Sequence, residues 1–173
     1  MLLALLAVLT VLLSPTPALA DPPGRLPTQV TDRAGALGGD RAAVDAALAR
    51  LQSDAGIQLF VVFVESFDGV PAQQWTDETA SRSDLGDRDA LLAVATTDRA
   101  YAYSFAQDAR LTDSELADVA ADDIEPALAR GDWAGAVVAA ADGYRAAATG
   151  SGTGAGSSGL FGVVAIVALV VVG

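Results

Sequence analysis

The sequence contains no cysteine, no histidine and no lysine among its 173 residues. Without cysteine, a disulfide, a thiolate nucleophile and a thiolate-bound metal are all excluded. Without histidine, the Ser-His-Asp triad and most zinc sites are excluded as well. Carboxylates, hydroxyls and arginines remain for chemistry, so any cofactor is expected to be a hard cation held by oxygen atoms.

Positive charge is scarce. Ten arginines stand against 22 acidic residues, which gives a net charge of -12, and all of these residues fall between Asp21 and Arg145. Such a surface repels nucleic acid and anionic lipid headgroups and attracts cations, so we predict no nucleic-acid partner. The alternative reading of the acidity is a coding bias that produces solvated acidic faces without a specific function.

The N-terminal segment has the pattern of a secretory leader. Residues 2–13 are apolar apart from Thr10, and this run is shorter than the about 20 residues that span a bilayer. Ala18-Leu19-Ala20 then gives the small-x-small pattern that signal peptidase accepts, directly before Asp21. We predict a signal peptide over residues 1–20, although a basic n-region is lacking and an uncleaved anchor remains the alternative.

The C-terminal segment predicts a membrane tether. Residues 149–159 form a Gly/Ser linker, and residues 160–173 are apolar without a single charge. As a helix, the apolar run covers only about 20 Å of a hydrocarbon core of about 30 Å. We therefore predict a truncated transmembrane helix that holds the domain on the extracytoplasmic side of the cell membrane. A buried helix of the domain is the alternative.

Residues 28–148 are predicted to form one domain, preceded by a linker over residues 21–27. The runs 57–64 and 90–95 are almost wholly apolar, as in strands that are buried on both faces of a parallel sheet. Tyr101, Tyr103 and Phe105 alternate as in a hairpin strand, and helical patterns begin near Asp40, Pro71, Thr112 and Asp132. Gly56 is expected to cap the end of the first helix, Thr112 to Glu115 fit a capping box, and Pro126 is expected to interrupt the helix that follows. The predicted fold class is α/β: a small mixed sheet of about four strands with helices on both faces.

Several short motifs occur in an order and spacing that resemble the TPM domain family. They are Val30-x-Asp32, Gln58-Leu59-x-Val61-Val62, Gly86 followed by Ala90–Ala95, Asp98-Arg99, Leu111-Thr112-Asp113, Ile124-x-Pro126 and Gly131-Asp132-Trp133. The resemblance covers residues 28–147, which is nearly the whole predicted domain. It is similar in architecture to exported bacterial members of the family, which combine a signal, a domain and a membrane tail.

The resemblance implies two kinds of activity. The family includes plant thylakoid-lumen proteins linked to photosystem repair and an animal receptor modulator. Some members bind calcium or related cations, and plant members are described as acid phosphatases. The chain departs from the family pattern at Asp89-Ala90, where many members have Asn-Gly. It departs again over residues 106–110, where many have Gly-x-Gly-Leu-Glu.

Four aspartates are predicted to meet at one edge of the sheet. Asp84, Asp87 and Asp89 precede the third strand, and Asp108 follows the fourth. Converging carboxylates repel one another unless a cation neutralises them, and calcium takes six to eight oxygen ligands. The family resemblance suggests that Asp32 joins them. The alternative is that these are solvated loop aspartates.

Two functions follow from these observations. The first is a non-catalytic interaction or sensory module outside the cytoplasm, with calcium or another divalent cation as cofactor and an envelope protein as partner. The second is a weak metal-dependent acid phosphatase, in which aspartates hold the metal and Arg88 or Arg110 holds the phosphate. The absence of histidine and the acidic field, which repels phosphate esters, favour the module.

Overall fold

A four-stranded mixed sheet lies at the centre of the computed structural model, which describes residues 21–106 and 110–150. Its strands follow the chain order β1-β2-β3-β4, with β1, β2 and β3 parallel and β4 antiparallel to β3. Their bounds are β1 Val30–Asp32, β2 Gln58–Val64, β3 Asp89–Ala95 and β4 Ala100–Phe105. The predicted α/β class and mixed sheet are confirmed.

Helices cover both faces of this sheet, and local sequence signals fix several of their ends. Gly56 adopts φ 71° after the first helix and donates its N–H to the carbonyl of Gln52 at 3.0 Å, which is a left-handed C-cap. Thr112 and Glu115 form the predicted capping box. The helices are α1 Arg41–Ala55, α2 Ala72–Arg82, α3 Asp113–Val119, α4 Glu125–Ala129 and α5 Trp133–Thr149.

The two faces of the sheet bury two separate apolar clusters. Leu59, Val61 and Phe63 of β2 belong to the cluster under α1 and α5, whereas Val62 and Val64 belong to the one that contains Trp75 of α2. All five strand residues are fully buried, and each contributes about 1.5–3 kcal/mol by leaving water. Because β2 and β3 are buried on both faces, polar side chains are confined to the ends of the strands.

The chain stays helical through Pro126, where the sequence predicted an interruption. A π-helical turn over Ala120–Ile124 follows α3, and the N–H of Glu125 bonds to the carbonyl of Ala120. Proline has no N–H to donate, and this shift places Pro126 in the first turn of α4, where no donor is needed. The π turn therefore replaces the predicted break.

The predicted signal peptide (1–20) and transmembrane helix (160–173) lie outside the described residues. In residues 21–106 and 110–150, no helix is long and apolar enough to cross a membrane. Residues 21–27, which the sequence assigns to a linker, are hydrogen-bonded to the domain through Asp21 and Leu26.

At Gly143, α5 packs tightly against the end of α3. A Cβ at this position would lie 2.8 Å from Cγ1 of Val119 and would also meet the carboxylate of Asp123. We expect Gly143→Ala to lower the free energy of unfolding by about 1–3 kcal/mol, because β-branched Val119 has little freedom to move away. Urea denaturation followed by circular dichroism measures the change.

The control is Gly39→Ala, where an added Cβ meets nothing within 4 Å. This variant is expected to stay within about 0.5 kcal/mol of the parent. A Gly143→Ala chain as stable as the control would contradict the packing described here, since alanine in an open helix is normally the more stable residue.

Candidate functional site

An open groove lies at the end of the sheet where β3 begins and β4 ends. These two strand ends adjoin because Ala90 pairs with Phe105 in the antiparallel register. The groove has a volume of about 240 Å³ and lies between α2 and the β3–β4 hairpin. We call it the acidic groove; its lining residues are Asp77, Ala80, Ser81, Leu85, Gly86, Asp87, Asp89, Ser104, Phe105 and Ala106.

Three carboxylates line the acidic groove, and each is placed by local structure. Asp77 lies one helical turn before Ser81 on α2 and accepts a hydrogen bond from Nε2 of Gln73 at 2.9 Å. Asp89, the first residue of β3, accepts the N–H of Gly86 at 2.8 Å, which closes a tight turn around exposed Asp87. As far as the structure describes the chain, none of the three forms an ion pair with an arginine. Their negative charge is therefore left to solvent or to a ligand.

Of the other predicted site residues, Asp84 is not part of this lining. Asp84 adopts φ 54° and pairs with Arg25 of the N-terminal segment, so its charge is already neutralised. Asp108 lies outside the described residues. The structure thus brings Asp87 and Asp89 together in one groove, as the sequence predicted, and adds Asp77 to them.

Asp32 lies at the opposite end of the sheet, and its predicted place beside the other aspartates is wrong. In the parallel register Asp32 is opposite Phe63, whereas Asp89 is opposite Gln58. Five positions along a strand correspond to about 16 Å. The carboxylate of Asp32 instead accepts the N–H groups of Ala36 at 2.9 Å and Leu37 at 3.0 Å, so it holds the turn that leads to α1.

The described carboxylates do not by themselves form a calcium cage. In residues 21–106 and 110–150, no group of three or more His, Cys, Asp or Glu side chains is placed to hold a metal ion. A calcium site needs six to eight oxygens, so the acidic groove would need further ligands, such as backbone carbonyls or Asp108. The predicted cation site therefore stays a prediction.

Comparison with known proteins identifies the fold and the family. A family profile described as the TPM domain matches residues 30–147. The chain belongs to the TPM domain family. It is also 48% identical over 129 residues to the UPF0603 proteins MT2410 and Rv2345 of two Mycobacterium tuberculosis strains, CDC 1551 / Oshkosh and ATCC 25618 / H37Rv. The match covers 73% of this chain but only 20% of those relatives, so the chain spans about a fifth of their length.

Two solved domains have the same fold as this TPM domain. The N-terminal domain of protein cg2496 from Corynebacterium glutamicum, solved by solution NMR, is 31% identical with a TM-score of 0.61. The comparison covers 85% of this chain and 95% of that domain. An N-terminal domain from P. gingivalis is 21% identical with a TM-score of 0.62, covers 71% of this chain and 83% of that one, and supports the fold alone.

One departure of this TPM domain from the family pattern falls inside the acidic groove. The family resemblance implies asparagine at position 89, and an asparagine side chain could accept the same N–H of Gly86. The substitution therefore keeps the turn and adds a negative charge to the groove. Ala90, which replaces the family glycine, is fully buried in β3. The second departure falls partly on residues 107–109, outside the described ranges.

A buried tyrosine cluster borders the other side of β4. Tyr101 donates a hydrogen bond from its hydroxyl to Oε1 of Glu125 at 3.0 Å. Burial raises the pKa of Tyr101, and the negative charge of this carboxylate raises it further. Tyr144 is fully buried and stacks edge-on against Phe105, and burial raises its pKa as well. Both phenols are therefore neutral at physiological pH, and neither is available as a phenolate nucleophile.

Two polar residues that line the groove were not predicted from the sequence. Asp77 and Ser81 have the i, i+4 spacing of one helix face, but only the packing of α2 against β4 shows that this face borders the groove. At the opposite end of the sheet, Asp98 accepts hydrogen bonds from the Ser66 hydroxyl at 2.9 Å and from the N–H of Phe67 at 2.7 Å, and these join two loops that are far apart in sequence. No local sequence motif predicts a contact of this kind.

The structural role of Asp32 gives a direct prediction. Asp32→Ala leaves two backbone N–H groups without their acceptor, so we expect the free energy of unfolding to fall by about 1–3 kcal/mol. Urea denaturation should show the same loss with and without millimolar calcium, because the carboxylate is committed to the turn.

The matched control is Asp118→Ala, which removes an exposed carboxylate that has no partner within the described ranges and is expected to change stability by at most about 0.5 kcal/mol. A stable Asp32→Ala chain that loses a calcium-induced stabilisation would contradict the assignment and return Asp32 to the cation site.

Proposed function

We propose that this TPM domain is a binding module, tethered outside the cytoplasm, whose contact surface is the acidic groove. The observation that carries the proposal is the set of three carboxylates, Asp77, Asp87 and Asp89, that line one open groove without an arginine partner among the residues described. Unpaired charge at a concave surface costs stability through repulsion, and a cationic ligand relieves it.

A divalent cation is the proposed cofactor of the groove, with calcium as the first candidate. Carboxylates and backbone carbonyls are the ligands that calcium prefers, and no histidine or cysteine is available to favour zinc or copper. The partner is proposed to be an envelope protein that presents a basic surface. Export through residues 1–20 and attachment through residues 160–173 complete this proposal and rest on the sequence pattern alone.

The alternative is a metal-dependent phosphatase. One observation supports it, since the name of the matching family profile includes the word phosphatase. Exposed Arg88 and Arg110 lie next to the groove segments in sequence and could bind a phosphate. A net charge of -12 repels a phosphate ester, however, and no histidine is present as general acid or base. These considerations favour binding over catalysis.

A calcium titration followed by amide NMR tests the proposal. We expect shifts confined to residues 77–81, 86–89 and 104–106, and at least about tenfold weaker binding in the double variant Asp87→Asn/Asp89→Asn. Asparagine at position 89 keeps an acceptor for Gly86, so this variant changes charge without opening the turn.

The control is Asp118→Asn/Asp122→Asn, which removes the same charge from exposed helical positions. Equal weakening of calcium binding in both double variants, or diffuse shifts over all acidic faces, would mean that calcium only screens the surface charge and has no site in the groove. Metal-dependent hydrolysis of a phosphate ester that is lost in the groove variant and kept in the control would replace the binding module with the phosphatase.

A further inference from the structure

The domain holds Asp21 by all three of its polar groups. Its backbone N–H donates to Oδ2 of Asp68 at 2.9 Å, and its carbonyl accepts Nε1 of Trp75 at 2.8 Å. Its carboxylate lies 3.3 Å from the guanidinium of Arg33. These partners come from three different parts of the chain, so Asp21 occupies a built site at the surface of the fold.

Asp68 is preorganised as the acceptor. It adopts φ 53°, a left-handed conformation that aspartate and asparagine tolerate better than most residues. Its own N–H bonds to the hydroxyl of Ser66 at 2.9 Å, and that hydroxyl donates to Asp98 at 2.9 Å. The backbone of Asp68 is therefore held by a network that reaches the β3–β4 turn, independently of the bond between its carboxylate and Asp21.

The predicted cleavage point lies directly before this residue. Ala18-Leu19-Ala20 precedes Asp21, and hydrolysis of the Ala20–Asp21 peptide bond adds one water molecule. The acyl carbon of Ala20 becomes a carboxylate and the nitrogen of Asp21 becomes an α-ammonium at neutral pH. The nitrogen that changes from a neutral amide to a cation is the one hydrogen-bonded to Asp68.

We propose that Asp68 is the receptor for the new α-ammonium of Asp21, so that removal of the leader completes an ion pair that fastens the N-terminal segment to the domain. This inference rests on the export part of the proposed function. A charge-assisted hydrogen bond is roughly twice as strong as a neutral one, so the processed chain gains what the precursor lacks. Across the site, Arg33 pairs with the Asp21 carboxylate, and no arginine within the described ranges forms an ion pair with Asp68.

The fastened segment covers part of the core. Leu26 packs against the cluster of Trp75 and Phe67, and its N–H donates to the hydroxyl of Ser83 at 3.1 Å. Arg25 pairs with Asp84 in the loop that leads to β3. Fixing Asp21 therefore also restrains the segment that closes this apolar cluster against water, which couples processing of the chain to the stability of the exported domain.

Two chains that differ only at the N-terminus test the proposal. One begins at Asp21 and the other retains Leu19-Ala20; both run to Gly173 and are studied in detergent micelles. They have the same net charge, because the retained residues are neutral and only move the ammonium by up to about 7 Å. At pH 6.5 and low salt we expect the chain that begins at Asp21 to melt about 2–5 °C higher.

The Asp68→Asn variant shows whether Asp68 is responsible. Asparagine tolerates the left-handed conformation and still accepts a hydrogen bond, so it removes only the charge. We expect the difference between the two chain starts to fall by more than half in this variant and to persist in Asp118→Asn. Equal melting temperatures in the parent, or a difference that survives Asp68→Asn, would overturn the proposal.

The pH dependence has a defined sign. The Asp68 carboxylate should raise the pKa of the α-ammonium above its unfolded value of about 7.7–8.0, so the stabilisation is complete below that pH and is lost as the pH rises through the folded value. A difference unchanged at pH 10 would overturn the proposal.

Mass spectrometry of the exported protein supports the proposal if Asp21 is the first residue and overturns it if another residue is first. The groove titration reads the other end of the sheet, so the two proposals fail separately.

Discussion

The parallel pairing of β2 with β3, buried on both faces, is the constraint on which the rest of the structure depends. Each strand contributes seven residues to this pair, and their registers match from Gln58 opposite Asp89 to Val64 opposite Ala95. Strands buried on both faces require two layers of helices, because neither face can be left to water. The helices α1 and α5 on one side and α2 on the other meet that requirement.

The same constraint confines the polar chemistry to the two ends of the sheet. The end at which β3 begins contains the acidic groove, whose carboxylates are not paired with arginine in the described ranges. The end at which β2 and β3 finish contains Asp32, Asp68 and Asp98, all of which accept backbone N–H groups. One end therefore leaves its charge available for a ligand, whereas the other uses its charge to hold loops and the N-terminal segment.

The sequence predicted the elements of the fold because their signals are local. The apolar run of β2, the glycine after α1 and the Thr112–Glu115 capping box each act within a few residues. The placement of Asp32 was wrong because it depends on which strand ends meet, and that follows from the register of the whole sheet. Asp77 was missed for the same reason, since a helical pattern does not specify which neighbour its polar face borders.

Binding of a paramagnetic cation tests most directly the central claim that the ligand-accepting charge lies at one end of the sheet. Manganese broadens amide signals steeply with decreasing distance, so substoichiometric manganese reports where a divalent cation resides on the domain. We expect selective loss of the signals of residues 77–81, 86–89 and 104–106, whereas those of residues 32–37, about 16 Å away along the strands, are retained. Loss of the signals of residues 32–37, or uniform broadening over the domain, would contradict it.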